Sequence, residues 1–186
     1  SPKVAVESPN NGFKKEDNVE TKNPVLLPED FKMLCVDNRR SAKIAKNYLK
    51  SRGITSDDII RYKIGTSNKL EFTNRVIFPS FDENLFLNYY LTRTYDKNQK
   101  IKYRNCDSDK KEIIFNEYNI DWQKELVLVE GVFDALKVQN NVACMLGSWL
   151  DESYLLFQKI VFYKTPVILA LDPDATFKTQ KIAKNL

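Results

Sequence analysis

The sequence predicts an α/β protein, with an α+β N-terminal part followed by a part built on a mostly parallel sheet. Three observations predict it. Runs of β-branched and aromatic residues separated by turn residues occupy 75–104, the pattern of an antiparallel sheet. From Leu126 to Leu171 short continuous apolar runs alternate with helical patterns, as in a parallel sheet covered on both faces. The hydrophobic share of 42% in 186 residues is enough to close a core, since a chain of this size buries roughly 70% of its unfolded surface.

The elements follow in order. Residues 1–24 are rich in Asn, Lys, Glu and Pro without a sustained apolar period and read as a flexible polar linker. From Ser41 the positions Ile44, Ala45, Tyr48 and Leu49 recur at helical spacing, and Gly53 follows the last turn. A short helix is predicted over Ser56–Tyr62, with Ser56 as N-cap and Asp57 and Asp58 at its positive end. Strands are predicted at Arg75–Phe81, Phe86–Tyr95 and Lys102–Arg104. The β-α-β-α-β series then runs through Leu126–Val129, Val132–Gln139, Val142–Leu146, Asp151–Val161 and Pro166–Leu171. The domains expected are therefore the linker 1–24, a basic N-terminal subdomain 25–122 and a parallel-sheet subdomain 123–186.

Composition narrows the chemistry. With no histidine, and with Cys35, Cys106 and Cys144 far apart, no zinc site is expected in this chain, and Ser-His-Asp or Cys-His catalysis is excluded. Any reaction must use carboxylates, lysine, arginine or tyrosine. The net charge of +4, from 29 basic and 25 acidic residues, favours an anionic partner where the bases cluster. No apolar run of about 18 residues and no secretory pattern occurs, so no membrane association is expected and a cytoplasmic setting is.

In open parallel sheets ligands bind beyond the carboxyl ends of the strands. Both outer members of the apolar series end in acids. Glu130-Gly131-Val132-Phe133-Asp134 follows the first, and Asp172-Pro173-Asp174 follows the third. Asp172 and Asp174 can reach one ion, Glu130 sits at the same edge, and Asp134 lies one helical turn further on. Such oxygen ligands suit Mg²⁺ or Mn²⁺. Each acid taken singly also reads as a helix cap, but acids at two neighbouring strand ends favour a site.

Glu130-Gly131 after one apolar strand, Gly147-Ser148 after the next and Asp172-x-Asp174 after the third resemble the Toprim domain. Upstream, Asn74-Arg75-Val76-Ile77-Phe78-Pro79, Arg93, Lys102-Tyr103-Arg104-Asn105 and Ile114-Phe115-Asn116-Glu117 resemble the catalytic core of DnaG-type primases, as does Tyr48-Leu49-x-x-Arg52-Gly53-Ile54. The resemblance covers residues 40–186. It implies RNA primer synthesis on a single-stranded DNA template from ribonucleoside triphosphates, working with a replicative helicase in the replisome. It implies metal roles for Glu130, Asp172 and Asp174, with Asp134 supporting. Arg75, Arg93, Lys102, Tyr103 and Asn105 would handle nucleotide and DNA phosphates.

Other bases, among them Lys97, Lys100, Lys110 and Lys111, read as a solvated face, and Phe78, Phe86, Trp122 and Trp149 as packing residues. No zinc-binding module precedes the core, no phosphate-loop motif of a helicase motor is present, and Toprim domains usually continue through another strand, so the sequence reads as part of a longer phage-type primase or primase-helicase. Two rivals remain: a Toprim nuclease using the same carboxylates on water, and a non-catalytic DNA-binding module of the replisome.

Overall fold

The computed structural model describes residues 24–138, 141–147, 149–172 and 176–185. All but the last residue of the expected linker lie outside these, as do Ser148 and Asp174.

Strands β1 (Lys32–Met33), β2 (Gly65–Thr66), β3 (Arg75–Phe81), β4 (Leu87–Thr94) and β5 (Tyr103–Asn105) form an antiparallel sheet in that order. Helices α1 (Arg40–Ser51) and α2 (Ser56–Arg61) lie between β1 and β2 in the chain. Helix α1 buries Ala42, Ala45 and Leu49 along one stripe. It closes with Gly53 at φ +79°, where the Gly53 amide bonds Lys50 O and the Ile54 amide reaches back to Leu49 O. This paired closure needs a left-handed residue, which glycine adopts without steric cost. It leaves Arg52 at the exposed end of α1. Helix α2 starts one residue earlier than expected: Thr55, not Ser56, is the N-cap, and Asp58 bonds back to the Thr55 amide. A full capping box satisfies two orphan amides where Ser56 would satisfy one.

The second sheet is parallel, in the order β7 (Val142–Cys144), β6 (Leu126–Val129), β8 (Val167–Leu169). Helix α3 (Val132–Lys137) connects β6 to β7, α4 (Leu155–Tyr163) connects β7 to β8, and α5 (Thr176–Asn185) follows β8. Alternate residues of β6 and β7 serve two cores, as the period of two in a strand requires. Leu126, Leu128, Ala143 and Met145 pack with Leu156, Ile160 and Ile182. Val127, Val129, Val142 and Cys144 pack on the other side with Phe133, Leu136 and the antiparallel-sheet residues Val76, Phe78 and Leu91. Helix α3 thus lies between the two sheets, and Phe133 meets Phe78 edge-on at 5.3 Å.

Burial on both faces holds for β6 but not for β8. Ile168 on β8 is 43% exposed, because β8 is the edge strand among the described residues. No helix among the described residues is long and apolar enough to cross a membrane.

Candidate functional site

The site builds outward from the end of β6. Glu130 leaves the strand half-buried, Gly131 opens α3 and Asp134 stands exposed in its first turn. A Cβ on Gly131 would lie 3.1 Å from Asp134 Oδ2, so glycine lets that carboxylate rest close to the backbone. The capping alternative fails for this pair. The N-cap of α3 is Gly131, with no side-chain cap hydrogen bond, and among the described residues no hydrogen bond or ion pair engages the carboxylate of Glu130 or of Asp134.

Asp172 follows the adjacent parallel strand. The Ala170 amide still bonds Leu128 O, which extends the ladder past β8 and releases Asp172, exposed, at the same edge as Glu130. Among the described residues no three acidic or thiol groups converge tightly enough to hold a metal ion by themselves. The donor chemistry fits Mg²⁺, which takes one or two carboxylates and completes its shell with water and substrate phosphates.

The register of β3, β4 and β5 sorts the expected nucleotide and DNA ligands into two groups. Val76 opposes Arg93, Arg93 opposes Tyr103, and Leu91 opposes Asn105, so Arg93, Tyr103 and Asn105 share the face that Phe78 turns toward α3. Arg93 stacks its guanidinium 4.5 Å from the Tyr103 ring, and its buried Nε has no hydrogen-bond acceptor among the described residues. Burial raises the Tyr103 phenol above its ordinary value, while the nearby charges of Arg93 and Arg52 oppose that shift.

Arg75 and Lys102 lie on the opposite face. Lys102 is exposed, and its ammonium donates to Lys97 O at 3.0 Å. Arg75 corrects the expectation that it meets a template phosphate. It is 2% exposed and donates to Gln99 Oε1, Ile101 O, Lys102 O and Thr92 Oγ1. Burial, with Arg104 nearby, holds its pKa below the ordinary value. This guanidinium clamps the turn between β4 and β5.

Two bases at the site were not among those expected. Arg52 holds its guanidinium 4.9 Å above the ring of Phe133, the neighbour of Asp134. In the sequence it stands within Tyr48-Leu49-x-x-Arg52-Gly53-Ile54 with no role attached to it. Lys110, read as part of a solvated face, is instead half-buried and donates to Leu146 O at 3.2 Å at the exit of β7. Both Lys110 and Asp134 act electrostatically on the Cys144 thiol. Sequence spacing carries no sign of this contact, because 36 residues separate Lys110 from Leu146. The resulting mouth has carboxylates on the parallel sheet and, around α3, the cations Arg52, Arg93 and Lys110.

Comparisons with known proteins bear on this geometry. No family model matches the sequence, and no curated protein matches it. Solved structures do. A DnaG primase catalytic domain bound to single-stranded DNA superposes with a TM-score of 0.63 at 20% identity, over 80% of this chain and 60% of that one. The Aquifex aeolicus primase, comprising zinc-binding and RNA polymerase domains, gives 0.63 at 23% identity over 78% of this chain and 46% of that one. The primase fragment of the bacteriophage T7 primase-helicase gives 0.56 at 19%, over 74% of this chain and 60% of that one. The chain thus spans about half to three fifths of the length of these structures. The chain has the fold of the catalytic cores of DnaG-type primases.

Proposed function

We propose that this chain is the catalytic core of a DNA primase, joining ribonucleotides into short RNA primers on a single-stranded DNA template by metal-dependent nucleotidyl transfer. The observation that carries the reading is the unspent carboxylates of Glu130, Asp134 and Asp172 at two adjacent strand ends, beside a face of arginine, lysine and exposed tyrosine. Its fold neighbours are primases, one of them bound to single-stranded DNA. We place residues 25–122 as the basic subdomain and 123–186 as the Toprim subdomain.

The reaction joins a 3′-hydroxyl to an α-phosphate and releases pyrophosphate, so the protein must align two strands of negative charge and neutralise what develops between them. Bound Mg²⁺ or Mn²⁺ would supply Lewis acidity at the phosphate oxygens. Asp172, with Asp174, would hold it, and Glu130 and Asp134 would complete the acidic side. Lys110 would take triphosphate oxygens, and Arg93 and Arg52 would take template or nucleotide phosphates. Tyr103, with a ring already stacked by Arg93, offers its other face to a base, and exposed Asn105 offers an amide. A helicase partner, in the same polypeptide or separate, and a place in the replisome complete the proposal.

The test incubates the protein with single-stranded DNA, labelled ribonucleotides and Mg²⁺ or Mn²⁺, beside Asp172→Ala. New oligoribonucleotides that vanish in the variant are expected. Metal-dependent cutting of the DNA without synthesis would replace this reading with a nuclease.

A further inference from the structure

We propose that Cys144 is a positioning residue for the ammonium of Lys110, acting through the left-handed turn at Leu146; the inference rests on the nucleotide reading of the mouth above. The last backbone rung between β7 and β6 runs from the Met145 amide to Val129 O at 3.0 Å. Beyond it the two strands part toward Glu130 and Leu146, and the Cys144 side chain spans the gap. Its S–H donates to Glu130 O at 3.4 Å, and its sulfur accepts from the Leu146 amide at 3.4 Å. A single thiol therefore ties the carbonyl of a site carboxylate residue to the turn that meets Lys110.

The turn needs such a tie. Leu146 has φ +55°, a conformation that crowds the Cβ of any L-residue and is rare for a bulky one. The neighbouring Gly147 would adopt it freely yet does not have positive φ. The strain falls on leucine, and its result is the direction of the Leu146 carbonyl, which accepts from Lys110 Nζ at 3.2 Å. Relaxed to an ordinary φ, Leu146 would turn that carbonyl away and release the ammonium. Cys144 is 2% exposed, and burial pushes its thiol up to about 12.

The experiment compares the unaltered protein, Cys144→Ala, and Cys144→Ala combined with Leu146→Gly. Cys144→Ala should raise the nucleotide concentration for half-maximal primer synthesis about tenfold with kcat within about twofold. Hydrogen exchange at the Leu146 amide should quicken by about the same factor, with the β3 amides unchanged. Glycine holds the left-handed turn without a tie, so the double variant should return to within about threefold of the unaltered nucleotide requirement. A packing role predicts the opposite, since Leu146→Gly removes further contacts; a double variant worse than the single one overturns the proposal. Unchanged exchange at Leu146 in Cys144→Ala also overturns it. The exchange result stands even where no primer is made, which separates failure of this inference from failure of the nucleotide reading.

Discussion

Where α4 meets the turn between β3 and β4, Lys159 is closed between Glu117 and Glu83, with Lys159 and Glu117 only 4% and 5% exposed. At the exits of β6 and β8, the carboxylates of Glu130, Asp134 and Asp172 meet no hydrogen-bond or ion-pair partner among the described residues. The first region spends its charges on each other. Burial, the largest influence on Lys159, lowers its pKa, but hydrogen bonds and charge from Glu117 and Glu83 leave it above the ordinary value. That closure ties the parallel-sheet half to the antiparallel sheet. In the second region the acids remain in water beside cations that face the same opening. Charges that are desolvated and paired fix geometry, whereas charges left unpaired at a strand end are available to a metal ion and its substrate.

The comparison can be broken most sharply at Asp172. Asp172→Ala should cut primer synthesis by about 10²–10³-fold or more, while thermal unfolding and single-stranded DNA binding stay nearly unchanged, because the residue is exposed and its carboxylate has no partner among the described residues. A variant that loses stability as well would place Asp172 with the structural charges. Lys159→Met should do the reverse. It leaves Glu117 buried without its counter-charge and should cost about 3–5 kcal/mol in urea unfolding. Lys159→Met with Glu117→Leu should recover most of that loss.

A smaller effect separates two arginines of the same sheet. Arg75→Met should lower stability by about 1–3 kcal/mol by leaving the Ile101 and Lys102 carbonyls without their donor, with DNA affinity per folded molecule retained. Arg93→Ala should leave stability nearly intact, weaken single-stranded DNA binding and reduce its salt slope by about 1. Equal losses in both would remove the distinction between the two faces.

The smallest effect expected is an acid limb. Asp37, 1% exposed, is opposed in ionising by burial, yet hydrogen bonds from Arg39 and Thr66 hold its pKa below the ordinary value. A depressed carboxylate contributes stability that is fully present above its unfolded pKa, about 4, and is lost as pH falls through the folded value. Urea midpoints measured from pH 7 down to 3 should hold steady and then drop, less steeply in Asp37→Asn. A fall beginning near neutrality would assign the limb to another group.

Much of this was legible because its causes are local. Strand β3 coincides with the β-branched and aromatic run Arg75–Phe81, and β6 with its apolar run, since such runs are properties of nearby residues. Helix α4 was expected from Asp151 and begins at Leu155. Asp151 instead folds a turn, accepting from the Ser153 amide and hydroxyl and the Trp149 indole, which competes with helix initiation. The placement of Glu130, Asp134 and Asp172 at one edge of the parallel sheet was legible because acids at strand ends are a positional signal. Lys110 and Arg75 were not, since a lysine and an arginine look alike in sequence whether they face water or carbonyl oxygens.

By itself the sequence determined the order of elements, the absence of imidazole chemistry and the acids at two strand exits, because composition, periodicity and spacing are properties of adjacent residues. Only the tertiary structure decided which cations face those acids. It buried Arg75 against the β4–β5 turn, set Arg52 over Phe133, and brought Lys110 to a carbonyl 36 residues away. Strand register and inter-sheet packing make those choices, and both join segments whose separation along the chain leaves no local mark.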